Sequence, residues 1–222
     1  MKAYAFFHIA TIGAYQAVVD ELMDAVMGSG LIDRLEGLEC VVCGDKPVRI
    51  QTHPKIHVEH AREDVTKFEF PTLQRVHRFA KEHQGTAILY FHTKGVSHPD
   101  NPCIVEWRQY MAYFCLEKWK EAIDRLDDAD TAGVDFSAFQ INGMGCTSDS
   151  ITYFGTDLHY SGNFWWANSD YLATLPELDD TKDRHACEFW ISKARGNHCC
   201  LWNSRIPIMA RQHFRCPRES YA

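Results

Sequence analysis

Five apolar residues, Ala87-Ile88-Leu89-Tyr90-Phe91, run straight into His92-Thr93-Lys94-Gly95. A run that short and that uniformly apolar reads as a strand buried on both faces, which belongs in a parallel sheet covered by helices. The surrounding pattern agrees. Residues 3–9 form a second compact apolar run, rich in aromatics, that reads as a first strand. Residues 14–27 carry Val18, Leu22 and Val26 at a spacing of four, with Val19 and Met23 beside them. That is a helical stripe, and Gly28-Ser29-Gly30 closes it. Cys40-Val41-Val42-Cys43 before Gly44-Asp45 reads as a second strand and turn, and residues 48–50 and 56–58 are weaker strands.

Alternation continues to the end. Pro71-Thr72 opens a helix with Leu73, Val76 and Ala80 on one face, closed by Gly85. Asn101-Pro102 starts the longest predicted helix, to about residue 126, with Ile104, Trp107, Met111, Cys115, Trp119, Ala122 and Leu126 on one face. Residues 133–136 and 162–167 read as late strands, and 180–193 as a further helix with Ala186, Trp190 and Ile191 inward. No repeat or Pro/Gly-rich linker divides the chain. The expected fold class is therefore α/β, one domain over residues 1–222, with a mostly parallel central sheet flanked by helices. Ligands of such sheets bind beyond the carboxyl ends of the strands, so the polar residues after each strand are the ones to weigh.

Charge and cysteine usage narrow the classes. With 23 Lys+Arg against 30 Asp+Glu the net charge is −7, and without a basic run the chain is a poor binder of nucleic-acid backbone. No apolar run approaches a bilayer span, and the N-terminal run is broken by His8 and has no small-residue cleavage site. Nine cysteines, an odd number, fit free thiols in a reducing cytoplasm. Cys40-x-x-Cys43 has the spacing of half a zinc site, but Cys199-Cys200 after His198 gives no matching half. The chain has no GxGxxG, no P-loop, no Gly-x-Ser-x-Gly and no local Cys–His hydrolase signature.

Four constellations carry chemistry. His92-Thr93-Lys94-Gly95 delivers donors and a positive charge to the rim, where Gly95 admits a close backbone approach; that suits a diphosphate, and the plain alternative is a polar turn. In His159-Tyr160-Ser161-Gly162-Asn163-Phe164-Trp165-Trp166 the adjacent tryptophans point to opposite faces, so one can fill core while the other lines a cleft and stacks on a sugar. Arg184 and Glu188 stand at i and i+4 on one helical face, either a surface ion pair or a carboxylate base with its orienter. Asp128-Ala129-Asp130 is an Asp-x-Asp able to hold a divalent cation, but it follows a helix, which favours a solvated helix end.

Taken in order, Tyr90-Phe91-His92-Thr93-Lys94-Gly95-Val96-Ser97, Trp107-Arg108 with Met111, the His159–Ala167 run, and Arg184 with Glu188 and Trp190 resemble a family of small glycosyltransferases. That family includes the amino-terminal glycosyltransferase domain encoded by chloroviruses and bacterial relatives used in surface-glycan synthesis. The resemblance runs from the first strand to about residue 191. It implies a GT-A-like fold whose first half, about residues 1–100, holds a nucleotide sugar and whose second half, about 101–222, holds the acceptor. By the same resemblance His8, Ala10 and Thr11 lie near base and ribose. His92, Thr93 and Lys94 would stand where GT-A enzymes usually carry an Asp-x-Asp. This chain has no carboxylate pair there, which leaves two alternatives. A divalent metal, Mn2+ or Mg2+, sits elsewhere, with Asp128 and Asp130 as weak candidates; or it is dispensable, and Lys94 with Arg108 or a histidine neutralises the diphosphate.

The implied activity is transfer of a sugar, glucose or rhamnose, from a UDP-sugar to a glycan or lipid-linked glycan, with inversion. Glu188 would be the base, Arg184 its orienter, and Trp165 or Trp166 with His159, Ser161, Gly162 and Asn163 the sugar site. The expected setting is cytoplasmic, at the inner membrane surface where the acceptor is lipid-linked. A non-catalytic carbohydrate-binding module and a nucleotide hydrolase or phosphoesterase are the rivals. The first needs no polar rim after residue 91, and the second needs a compact set of metal ligands.

Overall fold

The computed structural model describes residues 1–61, 64–138, 151–153, 158–178, 183 and 185–222. The strands are β1 (Lys2–Ala10), β2 (Gly37–Cys43), β3 (Ile56–His60), β4 (Thr86–His92), β5 (Thr131–Val134), β6 (Phe136–Ala138), β7 (Ile151–Tyr153), β8 (Leu158–Tyr160), β9 (Trp165–Asn168) and β10 (Gly196–Trp202). The helices are α1 (Tyr15–Gly28), α2 (Leu31–Arg34), α3 (Phe70–Glu82), α4 (Pro102–Ala112), α5 (Trp119–Arg125), α6 (Ser169–Thr174) and α7 (His185–Phe189). Among the described residues, none of these helices is long and apolar enough to cross a membrane.

Eight strands form one sheet in the order β3-β2-β1-β4-β9-β5-β10-β7, and β6 and β8 pair in a small second sheet. Strands β3, β2, β1, β4, β5 and β10 run the same way, while β9 and β7 run against them. The expected α/β class with a mostly parallel sheet is the one observed. The chain before residue 93 builds the half from β3 to β4, and the chain after residue 130 builds the other half.

The β4 run is uniformly apolar because both of its faces are covered. Ala87, Leu89 and Phe91 join the core with Phe7 and Trp166, while Ile88 and Tyr90 join the other core with Phe6 and Trp165. Period-two alternation splits Trp165 and Trp166 in the same way, opposite Tyr90 and Leu89 respectively. Both indoles are 0% exposed.

Three local expectations are corrected. The longest predicted helix is interrupted by a π-helical turn, Tyr113–Glu117, between α4 and α5. There Lys118 N donates to Tyr113 O at 2.8 Å, and Cys115 O accepts the indole N–H of Trp166 at 2.8 Å, so the bulge serves a buried donor. The helix predicted over 180–193 is a five-residue α7 followed by a 3-10 turn, Trp190–Ser192; residues 179–182 and 184 lie outside the described ones. Residues 48–50 form no strand, whereas β10, which periodicity does not mark, is a ladder partner of β5.

Candidate functional site

The parallel strands end at one rim. β1 ends there with His8, Ala10 and then Thr11, β4 with His92 and then Thr93 and Lys94, and β5 is followed by Asp135. Thr93 ties two strand ends together: its Oγ1 accepts from Ala10 N at 3.0 Å and its N donates to His8 O at 3.0 Å. Thr11 is buried, and its N donates to Cys43 O at 2.9 Å. Ala10, Thr11 and Thr93 therefore make the floor of the rim.

Lys94 stands above that floor. Its ammonium lies 4.2 Å from the centre of the Trp107 ring, a cation–π distance. Arg108 holds it there from behind. Although expected to neutralise a diphosphate, Arg108 is buried and committed: Nε and Nη2 donate to the two oxygens of Glu21 at 3.0 and 2.6 Å, and Nη1 donates to Lys94 O at 3.0 Å. Gly95 is part of the same packing. At φ +80° it occupies the left-handed region, and a Cβ there would meet Ile104 Cγ2 at 2.6 Å. Helix α4 thus presses directly on the turn that carries Lys94.

Glu188, on α7, faces this corner. Its Oε2 is 3.7 Å from His159 Nε2, and its side chain is 20% exposed. Burial pushes the carboxyl up, but Lys94, His159, His185 and His92 together pull it down further, and it ends below the ordinary glutamate value. The structure therefore brings Lys94, His92, His159 and Glu188 together, from four separate segments.

A second carboxylate sits below it. Glu69 occupies the N-cap position of α3, where the helix dipole favours negative charge. Its Oε2 accepts from Tyr90 OH and from Asn163 Nδ2, both at 2.6 Å, and its Oε1 lies 3.8 Å from His92 Nδ1. His92 Nε2 is 2.8 Å from Gly162 O; a carbonyl only accepts, so that nitrogen carries the hydrogen. Burial lowers the pKa of His8 to about 4, and the neutral ring meets Thr72 Oγ1 at 2.8 Å. The sequence assigns neither Glu69 nor Trp107 to the ligand site. Glu69 precedes Phe70-Pro71 and reads only as a helix start, while Trp107 reads as one more residue of an apolar stripe.

The predicted sugar site is corrected. Trp165 donates to Asn163 Oδ1 at 2.8 Å and Trp166 to Cys115 O, each inside a core, so neither offers a face to a ring. Asn163, at φ +61°, spends its side chain on Glu69 and Trp165. Ser161 O accepts from Trp107 Nε1 at 3.2 Å. Gly162, at φ +93°, would bring a Cβ to 3.0 Å from the same Nε1. The run from His159 to Trp166 is thus the scaffold that seats Trp107, His92 and Glu69, and His159 is its member against Glu188. Arg184 lies outside the described residues.

Asp128 and Asp130 precede β5 and so stand at the opposite rim from Lys94. Asp130 Oδ2 accepts from Asn197 N at 2.7 Å, and Asp128 O accepts from Asn197 Nδ2 at 2.7 Å. Among the described residues no group of three or more His, Cys, Asp or Glu is placed to hold a metal ion. Among the described residues the carboxylates at this corner, Glu188 and Glu69, lie against histidines and side-chain donors rather than in a set of hard oxygens such as a divalent cation takes. Cys40 and Cys43 are buried thiols, and burial, with Glu39, pushes Cys40 up to about 12.

No curated protein matches the chain. Two similar solved structures are both of 4-diphosphocytidyl-2C-methyl-D-erythritol synthase. One is 12% identical with a TM-score of 0.40; the other, from Anaerococcus prevotii DSM 20548, is 10% identical with a TM-score of 0.36. Each alignment covers 99% of this chain and 94% of the other, at scores too low to bear on what this chain does. The sequence comparison is firmer: residues 39–188, from β2 to the candidate base, match the model of a single family. The chain belongs to that family, described as a domain of unknown function (DUF8361).

Proposed function

We propose that the chain is an inverting glycosyltransferase that uses a nucleoside-diphosphate sugar, with a uridine nucleotide preferred, and a glycan acceptor. The observation that supports this reading most is the Glu188 carboxylate, 3.7 Å from His159 Nε2 and drawn below the ordinary glutamate range by Lys94 and three histidines. A cation and a carboxylate base on one corner answer the two needs of glycosyl transfer through an oxocarbenium-like transition state.

In the proposed step the acceptor hydroxyl oxygen bonds to the anomeric carbon on the face opposite the diphosphate. Its proton passes to Glu188. The bond from the anomeric carbon to the diphosphate oxygen breaks, its electron pair leaves on that oxygen, and Lys94 faces the charge that develops. The anomeric configuration inverts. A bound diphosphate also screens Lys94 from Glu188, which raises the carboxylate's affinity for a proton when the donor is in place. His159 and His185 steady the carboxylate, while Arg108 and Trp107 fix Lys94. In this reading the nucleotide is bound by the β1–β4 half and the acceptor by the half beyond β9.

A thermal-shift screen with UDP, GDP, TDP and CMP, each with and without manganese, tests the class. Stabilisation by a nucleotide is the expected result. Stabilisation by free sugars alone would replace the transferase with a binding module, and hydrolysis of the added nucleotide would replace it with a phosphoesterase.

A further inference from the structure

Arg108 has a counterpart in Arg211. Both residues are 4% exposed, yet their surroundings differ. Arg211 comes from the segment after β10, and its Nη2 lies 3.3 Å from Asp135 Oδ1. Its Nε and Nη1 are buried and have no hydrogen-bond partner among the described residues. A buried guanidinium with unspent donors is costly, and the chemistry that relieves it is an oxyanion. The Arg211 guanidinium is 5.7 Å from the centre of the Trp107 ring, the ring that Lys94 also approaches.

The surroundings hold Arg211 firmly. Asp135 is 0% exposed, follows β5 at φ +53°, and accepts from Tyr110 OH at 2.6 Å and from Ser204 N at 2.7 Å. The chain around Arg211 is pinned to α4 and the π turn: Asn101 Nδ2 donates to Gln212 O at 3.1 Å, Cys216 N to Glu106 Oε2 at 2.8 Å, and Arg218 Nη2 to Glu117 Oε2 at 2.6 Å. Asn203, just after β10, also has a buried Nδ2 without a partner among the described residues.

We propose that Arg211 is a second cation for the donor's diphosphate, acting with Lys94 across Trp107, so that the C-terminal segment completes the phosphate subsite. This rests on the reading of the rim as a nucleoside-diphosphate site. It is tested apart from that reading by using inorganic pyrophosphate as well as UDP and uridine. Titration calorimetry on the full chain should show Arg211→Met weakening pyrophosphate and UDP tenfold or more, with Arg211→Lys intermediate. Equal pyrophosphate affinity in wild type and both variants, or no pyrophosphate binding to wild type, overturns the proposal. Pyrophosphate binding that depends on Arg211 without any nucleotide binding upholds it while sinking the transferase. Because Arg211→Met leaves the buried Asp135 carboxylate without its cation and puts folding at risk, the Arg211 Nε–H resonance of wild-type protein is followed as well, assigned by its loss in Arg211→Lys. A shift that saturates with pyrophosphate supports the contact, and an unmoved resonance rejects it.

Discussion

The two rims of the central sheet use polar residues in opposite ways. At the amino rim they close the chain on itself: Asp130 takes the amide of Asn197, Asn168 Nδ2 donates to Leu126 O and Ala129 O, and Ser169 Oγ takes the amide of Thr86. At the carboxyl rim Lys94 rests on a ring rather than on a carboxylate oxygen, and Glu188 meets His159 no closer than 3.7 Å. Both rims carry Asp, Asn and His, so residue type alone does not separate structural polarity from available polarity. What separates Lys94 and Glu188 from the residues named at the amino rim is the kind of partner, a ring and a histidine at 3.7 Å in place of backbone amides and carbonyls.

That contrast can be broken by substitution. The largest effect is expected at Glu188: Glu188→Gln should lower sugar transfer by about 10²–10⁴-fold while UDP affinity stays the same. Normal turnover of that variant removes the base from the account. Lys94→Ala should weaken UDP by about 1.5–3 kcal/mol, the worth of a charge-assisted contact, with little change in melting temperature. On the amino rim the pattern reverses. Asp130→Ala should cost about 1–2 kcal/mol of stability through the orphaned Asn197 amide and leave UDP affinity unaltered. A drop in nucleotide affinity there would erase the distinction between the rims.

A further effect is expected with pH, on stability rather than on binding. Burial holds both His8 and His198 at about 4, below their ordinary 6.5, so the unfolded chain takes up their protons first as pH falls. Stability should therefore be full above 6.5 and decline steadily down to about 4. Glu188 has the same sign: its folded value is lowered, so its contribution is present at neutral pH and is lost only as pH falls through that value. Melting temperatures that are flat from pH 7 to about 4 would contradict the burial of the two histidines as neutral rings.

Much of the first half was legible because β4 couples two independent signals, an apolar run and a polar turn at its end. The tryptophan pair was legible only in part. Alternation says that Trp165 and Trp166 face opposite ways, but it cannot say that α4 and its π turn cover the second face. Glu69 was illegible for another reason, since its partners Tyr90 and Asn163 stand 21 and 94 residues away. β10 escaped because His198, 0% exposed, breaks its apolar pattern, and its partner at 2.7 Å, Thr131 Oγ1, lies 67 residues away in sequence. Arg108 and Arg211 show the limit most plainly: their identity and burial match, and only their neighbours in space set the two apart.

Calorimetric titration of UDP into wild-type protein and Lys94→Ala decides whether charge at the strand ends is kept for a ligand. The account predicts saturable one-site binding to wild type and a loss of about 10- to 150-fold in the variant. Equal affinities, or heats of dilution alone from the wild-type chain, would contradict it.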